Sequence, residues 1–160
     1  MRSRKKVAEK TPSPSPSWAL LSLLALALAA RTLSLSRSHL FTVYDEVAYL
    51  DQARDIAGRG VLGTIGCHLR GECREDNRHP LYAALLAPLI SGGPKDFAQG
   101  KLLTLACSLG LIALAYFSCR RRWGEKTGLA CAALLSLSWM TADASHHILA
   151  DVLFAGLYFA

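Results

Sequence analysis

Residues 97 to 119, FAQGKLLTLACSLGLIALAYFSC, form an apolar run long enough to cross a bilayer as a helix. Crossing the hydrocarbon core takes roughly 20 such residues. The run ends on a cationic cluster, RRRWGEK. Three further apolar blocks repeat the plan. One is WALLSLLALALAARTLSLS, about 18–36; another covers 127–142; the last opens near 148 with ILADVLFAGLYFA. Blocks of this kind, alternating with polar and basic stretches, predict an all-α fold: a polytopic bundle of membrane helices.

Composition agrees. Of 160 residues 52% are hydrophobic, and mean hydropathy is +0.26. That is too apolar for an ordinary soluble domain. The net charge of +6 is clustered, in MRSRKK and RRRWGEK. Basic clusters that flank apolar spans read as cytoplasmic loops, not as a nucleic-acid surface. Placing both clusters in the cytoplasm sends span 18–36 outward and keeps 37–96 outside. It then brings 97–119 inward and 127–142 outward. The chain is thus expected to be integral and multi-pass, in the inner membrane if bacterial, with its polar loop on the outer face.

The N-terminal 17 residues, basic and then TPSPSPS, form a tail with no means of building a core. The first apolar block weakens at Arg31, which can snorkel to the interface and let the helix continue. The rival reading is a cleaved signal peptide, with Ala27 and Ala29 at cleavage spacing. Either way, residue 40 onward lies outside the cytoplasm.

Within the outer loop, Asp45 to Ala57 has helical periodicity. Val47, Leu50, Ala53 or Arg54, and Ala57 share a face that suits a membrane surface, and Gly58 and Gly60 end the helix. GVLGTIGCHLRGECREDNRH then reads as loop. PLYAALLAPLI, 80–90, is too short to cross. Pro80 suits a first helical turn and Pro88 discourages continuation, so an interfacial helix is expected.

This topology collects polar groups on one side: Asp45, Glu46, His79, Asp143, His146, His147 and Asp151. The adjacent acids Asp45 and Glu46 open a helix, where the dipole favours negative charge; plain capping explains them, and so does a functional role. Asp151 sits at the mouth of an apolar helix, where a carboxylate is costly and suggests function, with capping as the alternative. His146 and His147, being adjacent, are poor joint metal ligands. Cys67 and Cys73 lie in the outer loop. In an oxidising exterior a small-loop disulfide is the preferred reading, with free thiols or a metal site including His68 and His79 as alternatives. Cys107, Cys119 and Cys131 lie in apolar blocks and read as small hydrophobes.

Four stretches occur in a telling order: YDEVAYLDQARDIAGRG, RHPLYAALLAPLI, RRRWGEKTGLACAALL and ILADVLFAGLYFA. Together they resemble the GT-C superfamily of membrane glycosyltransferases. The nearest branch holds the dolichyl-phosphate-mannose protein mannosyltransferases, the aminoarabinose–lipid A transferases and the lipopolysaccharide-core sugar transferases. The resemblance covers about residues 18–160. It implies transfer of a sugar from a polyprenyl-phosphate donor in the membrane to a lipid, glycan or protein acceptor at the outer face. It implies Asp45 as the base or cavity acid toward the acceptor and Glu46 as the pair's second acid. Arg78 and His79 would contact donor phosphate or acceptor, and Asp151 would shape the same cavity. The resemblance fixes no cofactor, and a divalent metal is compatible with it. Relatives often carry two prolines after the His position; this chain has only Pro80 there.

The final apolar block is too short to cross as it stands, so the chain is expected to be the N-terminal part of a longer protein, inactive alone. The competing class is a non-enzymatic membrane protein, a scaffold or part of a transporter.

Overall fold

The structure, a computed structural model, describes residues 18–37, 44–72, 80–93, 95–144, 147–148 and 150–159. The described residues are helical, with no strand among them. The helices are α1 (Trp18–Arg37), α2 (Tyr44–Leu69), α3 (Pro80–Leu86), α4 (Asp96–Trp123), α5 (Glu125–Leu137), α6 (Trp139–Ala144) and α7 (Asp151–Phe159). The all-α expectation holds. Among the described residues one helix, α4, is long and apolar enough to cross a membrane.

Helix α4 is the backbone of the molecule: α1, α5 and α7 pack along it. It ends in Arg120, Arg121 and Arg122, cations at the negative end of the helix dipole. Gly124, at φ 89°, then reverses the chain directly into α5. The hairpin closes because Gly128 meets the α4 backbone. A Cβ there would sit 2.8 Å from the carbonyl oxygen of Tyr116. Backbone cannot yield as a flexible side chain can, so Gly128→Ala is expected to cost about 1–3 kcal/mol, the range for overpacking. A lowered midpoint in detergent-solubilised thermal unfolding would show it; an unchanged midpoint would mean the helices separate freely. Leu20 and Ala27 of α1 complete this half of the core with Ile112, Tyr116 and Ala132.

Two expectations are corrected here. The segment 127–142 is not one helix: α5 stops at Leu137, Ser138 is extended (φ −64°, ψ 120°), and α6 starts at Trp139. Such a break orphans carbonyls at the end of α5. Thr141 Oγ donates to the carbonyls of Leu135 (2.6 Å) and Ser138 (3.0 Å). Arg31 adds to these. It does not snorkel to an interface but is buried, its guanidinium reaching the Leu135 and Ser136 carbonyls, each at 3.5 Å. An arginine at a helix C-terminus suits the dipole as well as the open carbonyls. The last helix begins at Asp151, within the apolar block that opens near 148.

The second half of the core joins α2, α3 and the approach to α7. Tyr49, Leu50, Ala53 and Ile56 of α2 meet Tyr82, Ala83 and Leu86 of α3, with Ile148 and Ala150. Tyr49 and Tyr82 pack edge to face, centroids 5.2 Å apart. The buried face of α2 therefore runs through Tyr49 and Ile56, whereas Val47 and Ala57 are exposed. Of the expected apolar face of residues 45–57, Leu50 and Ala53 pack beneath α3, while Val47 and Ala57 stay at the surface. Helix α3 follows its prolines: Pro80 opens it, and Pro88 enters a 3₁₀ turn, Ala87–Leu89, before Ile90 turns extended.

Gly60 breaks α2 as the glycine signal predicts, at φ 75° and ψ 163°. The chain beyond it is helical to Leu69, however, not loop. Thr64 Oγ donates to the Gly60 carbonyl (3.0 Å), restarting the helix across the bend.

Candidate functional site

Glu46 sits in the first turn of α2, yet its side chain is wholly buried. Its Oε1 accepts the backbone N–H of Ile148 at 3.1 Å. His147 Nδ1 lies 3.0 Å from the same oxygen and donates when that nitrogen carries its proton. Lys101 Nζ of α4 approaches to 3.9 Å. Glu46 Oε2 has no hydrogen-bond partner among the described residues. Lys101 is itself nearly buried, so each charge removes part of the other's desolvation cost.

Close backbone approach makes this possible. A Cβ on Gly100, one residue before Lys101, would come within 2.6 Å of the Ile148 side chain. With glycine there, Ile148 seats against α4 and presents its N–H to Glu46. One helical turn on, Tyr82 Oη bonds Thr104 Oγ (2.6 Å) and donates to the Gly100 carbonyl (3.2 Å). Burial pushes the Tyr82 phenol far above its ordinary range, which keeps it a donor.

A second buried carboxylate lies at the start of α4. Asp96 accepts the N–H groups of Ser91 (3.0 Å) and Gly92 (3.1 Å), folding the SGG turn onto the helix. Arg54 of α2 adds an ion pair to it at 3.2 Å and also pairs with Asp51 at 3.1 Å. The wholly internal position of Asp96 and its three bonds make it a structural clasp between α2 and α4.

The two acids of the opening pair thus have different surroundings. Glu46 is enclosed, while Asp45 is half-buried at the helix N-terminus. Asp151 is exposed and opens α7 three residues after Ile148. The Glu46–Ile148 bond ties the start of α2 to the approach to α7, so the helices that Asp45 and Asp151 begin are joined at that end. Arg78, His79, Cys73 and His146 lie outside the described residues. Cys67 is disulfide-bonded, and its Sγ accepts from Arg59 Nη1 at 3.0 Å. Cys107, Cys119 and Cys131 are free thiols. Among the described residues no cluster of three or more His, Cys, Asp or Glu side chains could hold a metal ion.

Sequence reasoning missed Lys101, Asp96 and Arg54, and gave His147 no partner. Lys101 did carry a signal: it is the only charged residue between Phe97 and Cys119. An ionisable residue inside an apolar span calls for a counter-charge, and the acids at 45–46 were available.

Comparison with known protein families, curated proteins and solved structures finds no match to this chain.

Proposed function

We propose that this chain forms part of a membrane glycosyltransferase of the GT-C type, which moves a sugar from a polyprenyl-phosphate donor to an acceptor. The observation that carries the reading is the division of labour in the acidic pair. Glu46 is buried under Lys101, His147 and Ile148, which leaves Asp45 as the half-exposed carboxylate at a helix N-terminus. That arrangement suits a base that engages an acceptor hydroxyl beside a fixed scaffold. Glu46 then serves as the internal support rather than as a second catalytic acid.

In this reading α1, α4 and the broken α5–α6 segment cross the membrane, with Arg120–Arg122 on the cytoplasmic side and Asp45 and Asp151 on the outer side. Arg78 and His79 stand as donor-phosphate contacts by resemblance. Such cations would stabilise the departing polyprenyl phosphate.

The test uses membranes from cells expressing the full reading frame that contains this sequence. Radiolabelled polyprenyl-phosphate sugar is added, and label transferred to lipid, glycan and protein fractions is counted. Transfer above control membranes is expected. Its absence across donor sugars would favour a scaffold or transporter component instead.

A further inference from the structure

We propose that Cys119 and Cys131 form a reversible dithiol–disulfide pair across the α4–α5 hairpin, closed by exchange with a low-molecular-weight disulfide of the glutathione type.

The two thiols come from different helices and meet. Both are free and half-buried, and a hydrogen bond joins their side chains. The hairpin brings them together. Gly128 packs against α4 between Tyr116 and Arg120, so the two backbones approach closely there. Cys119 lies between the two α4 residues that Gly128 faces, and Cys131 lies three residues after Gly128. Helical side chains lean toward the N-terminus of their own helix. In α4 that direction leads away from the bend at Gly124, and in α5 it leads toward the bend. Cys119 and Cys131 therefore lean toward each other. A bridge demands this proximity, because cysteines whose Cα atoms lie more than about 7 Å apart cannot close without backbone movement.

The surroundings suit exchange. Cys119 immediately precedes Arg120, Arg121 and Arg122, and the Arg122 guanidinium is near enough to act on its charge. Exchange starts from a thiolate, and reactive cysteines lie partly exposed beside cations. Cys107, also free, sits deeper along α4 in an apolar groove with Leu111, Val152 and Leu157, and serves as the internal control.

The reaction balances. One cysteine, as thiolate, attacks the small disulfide RSSR; a mixed disulfide forms, and the released RS⁻ takes up a proton. The second cysteine loses its proton and attacks the protein sulfur of the mixed disulfide. The protein disulfide forms, and the second RS⁻ leaves and is protonated. The two protein thiols are oxidised by two electrons, and RSSR is reduced to two RSH. Excess RSH reverses both steps. The second step is intramolecular, with its nucleophile already hydrogen-bonded in place. With Arg120–Arg122 on the cytoplasmic side, the pair meets a glutathione pool that holds it open, and it closes when that pool turns oxidising.

The experiment equilibrates the purified full chain in detergent micelles, without oxygen, at a series of ratios of oxidised to reduced glutathione. Samples are quenched in acid, alkylated with N-ethylmaleimide, digested without reduction and read by mass spectrometry. In micelles the result does not depend on which side of a membrane the hairpin faces. The peptides bearing Cys119 and Cys131 are expected to appear joined, two hydrogens lighter than their sum. The joined fraction should rise with the oxidised share and vanish on return to reduced glutathione, while Cys107 stays alkylated. Cys119→Ser and Cys131→Ser, both small substitutions, should give no joined peptide, and at least one should stop at a glutathione adduct on the remaining thiol. The proposal is overturned by alkylation of both cysteines at every ratio, or by wild-type adducts that persist without joined peptides. It is also overturned by absence of an adduct from both variants. Joined peptides that carry one half from each chain, in a mixture of isotopically labelled and unlabelled protein, overturn it in favour of a link between copies.

Discussion

Glu46→Ala is expected to cost the folded chain about 3–5 kcal/mol, the range for removing one partner of a buried ion pair. Three losses coincide. Lys101, in a nearly closed site, loses the carboxylate it faces. The Ile148 N–H, buried beside α4, loses its acceptor. A cavity replaces the side chain at the junction of α2, α4 and the approach to α7. The losses can be separated. Glu46→Gln retains an oxygen for Ile148 while losing the charge, so it should fall between alanine and wild type. The double variant Glu46→Ala/Lys101→Met should recover part of the loss, because the stranded ammonium is gone. Denaturant unfolding in detergent micelles measures all three. A Glu46→Ala protein as stable as wild type would show that Lys101 finds water once its partner is removed, and the pair would then be no support.

The parts of this architecture that sequence revealed are the parts decided locally. Pro80 and Pro88 bound α3 through fixed φ and a missing N–H, which act within a few residues. Gly60 and Gly124 mark the bends because only glycine adopts their positive φ without strain. Helix α4 follows from length and apolarity alone. The parts that stayed hidden depend on partners far along the chain. The break at Ser138 is stable because Arg31, more than 100 residues earlier, covers the carbonyls it exposes. The apolar face of α2 could be read as facing a membrane until α3 was found on it. The helical limb after Gly60 was masked by its glycines, whose average preference is for turns. In the site, position 46 was visible as one of two acids, but nothing local distinguishes Glu46 from Asp45. The distinction is made by Lys101 and Ile148, which approach the first turn of α2 on the side of Glu46.

That one-sidedness leads to the prediction for Asp45. Asp45→Asn is expected to lower sugar transfer by about 10²–10⁴-fold, the usual contribution of general acid–base catalysis. It should leave the unfolding midpoint close to wild type, since the side chain is half-buried and a surface-type substitution there removes no interior charge. Asp45 lies in the first turn of α2, where asparagine keeps its size and gives up only the charge–dipole interaction, about 0.3–1 kcal/mol, too little to account for lost transfer. The contrast with Glu46 is what makes the pair informative. If Glu46 is the support and Asp45 the base, Glu46 variants lose stability and transfer together, whereas Asp45→Asn loses transfer alone. The measurement is initial transfer rate per folded protein in membranes, alongside the melt of the same preparation. A wild-type rate for Asp45→Asn would remove Asp45 from the reaction and leave it an acid of the first helical turn. A parallel fall in rate and midpoint would instead place both acids in the framework, and the base would have to be sought elsewhere, beginning with Asp151, which opens the helix that Glu46 ties to this end of the molecule.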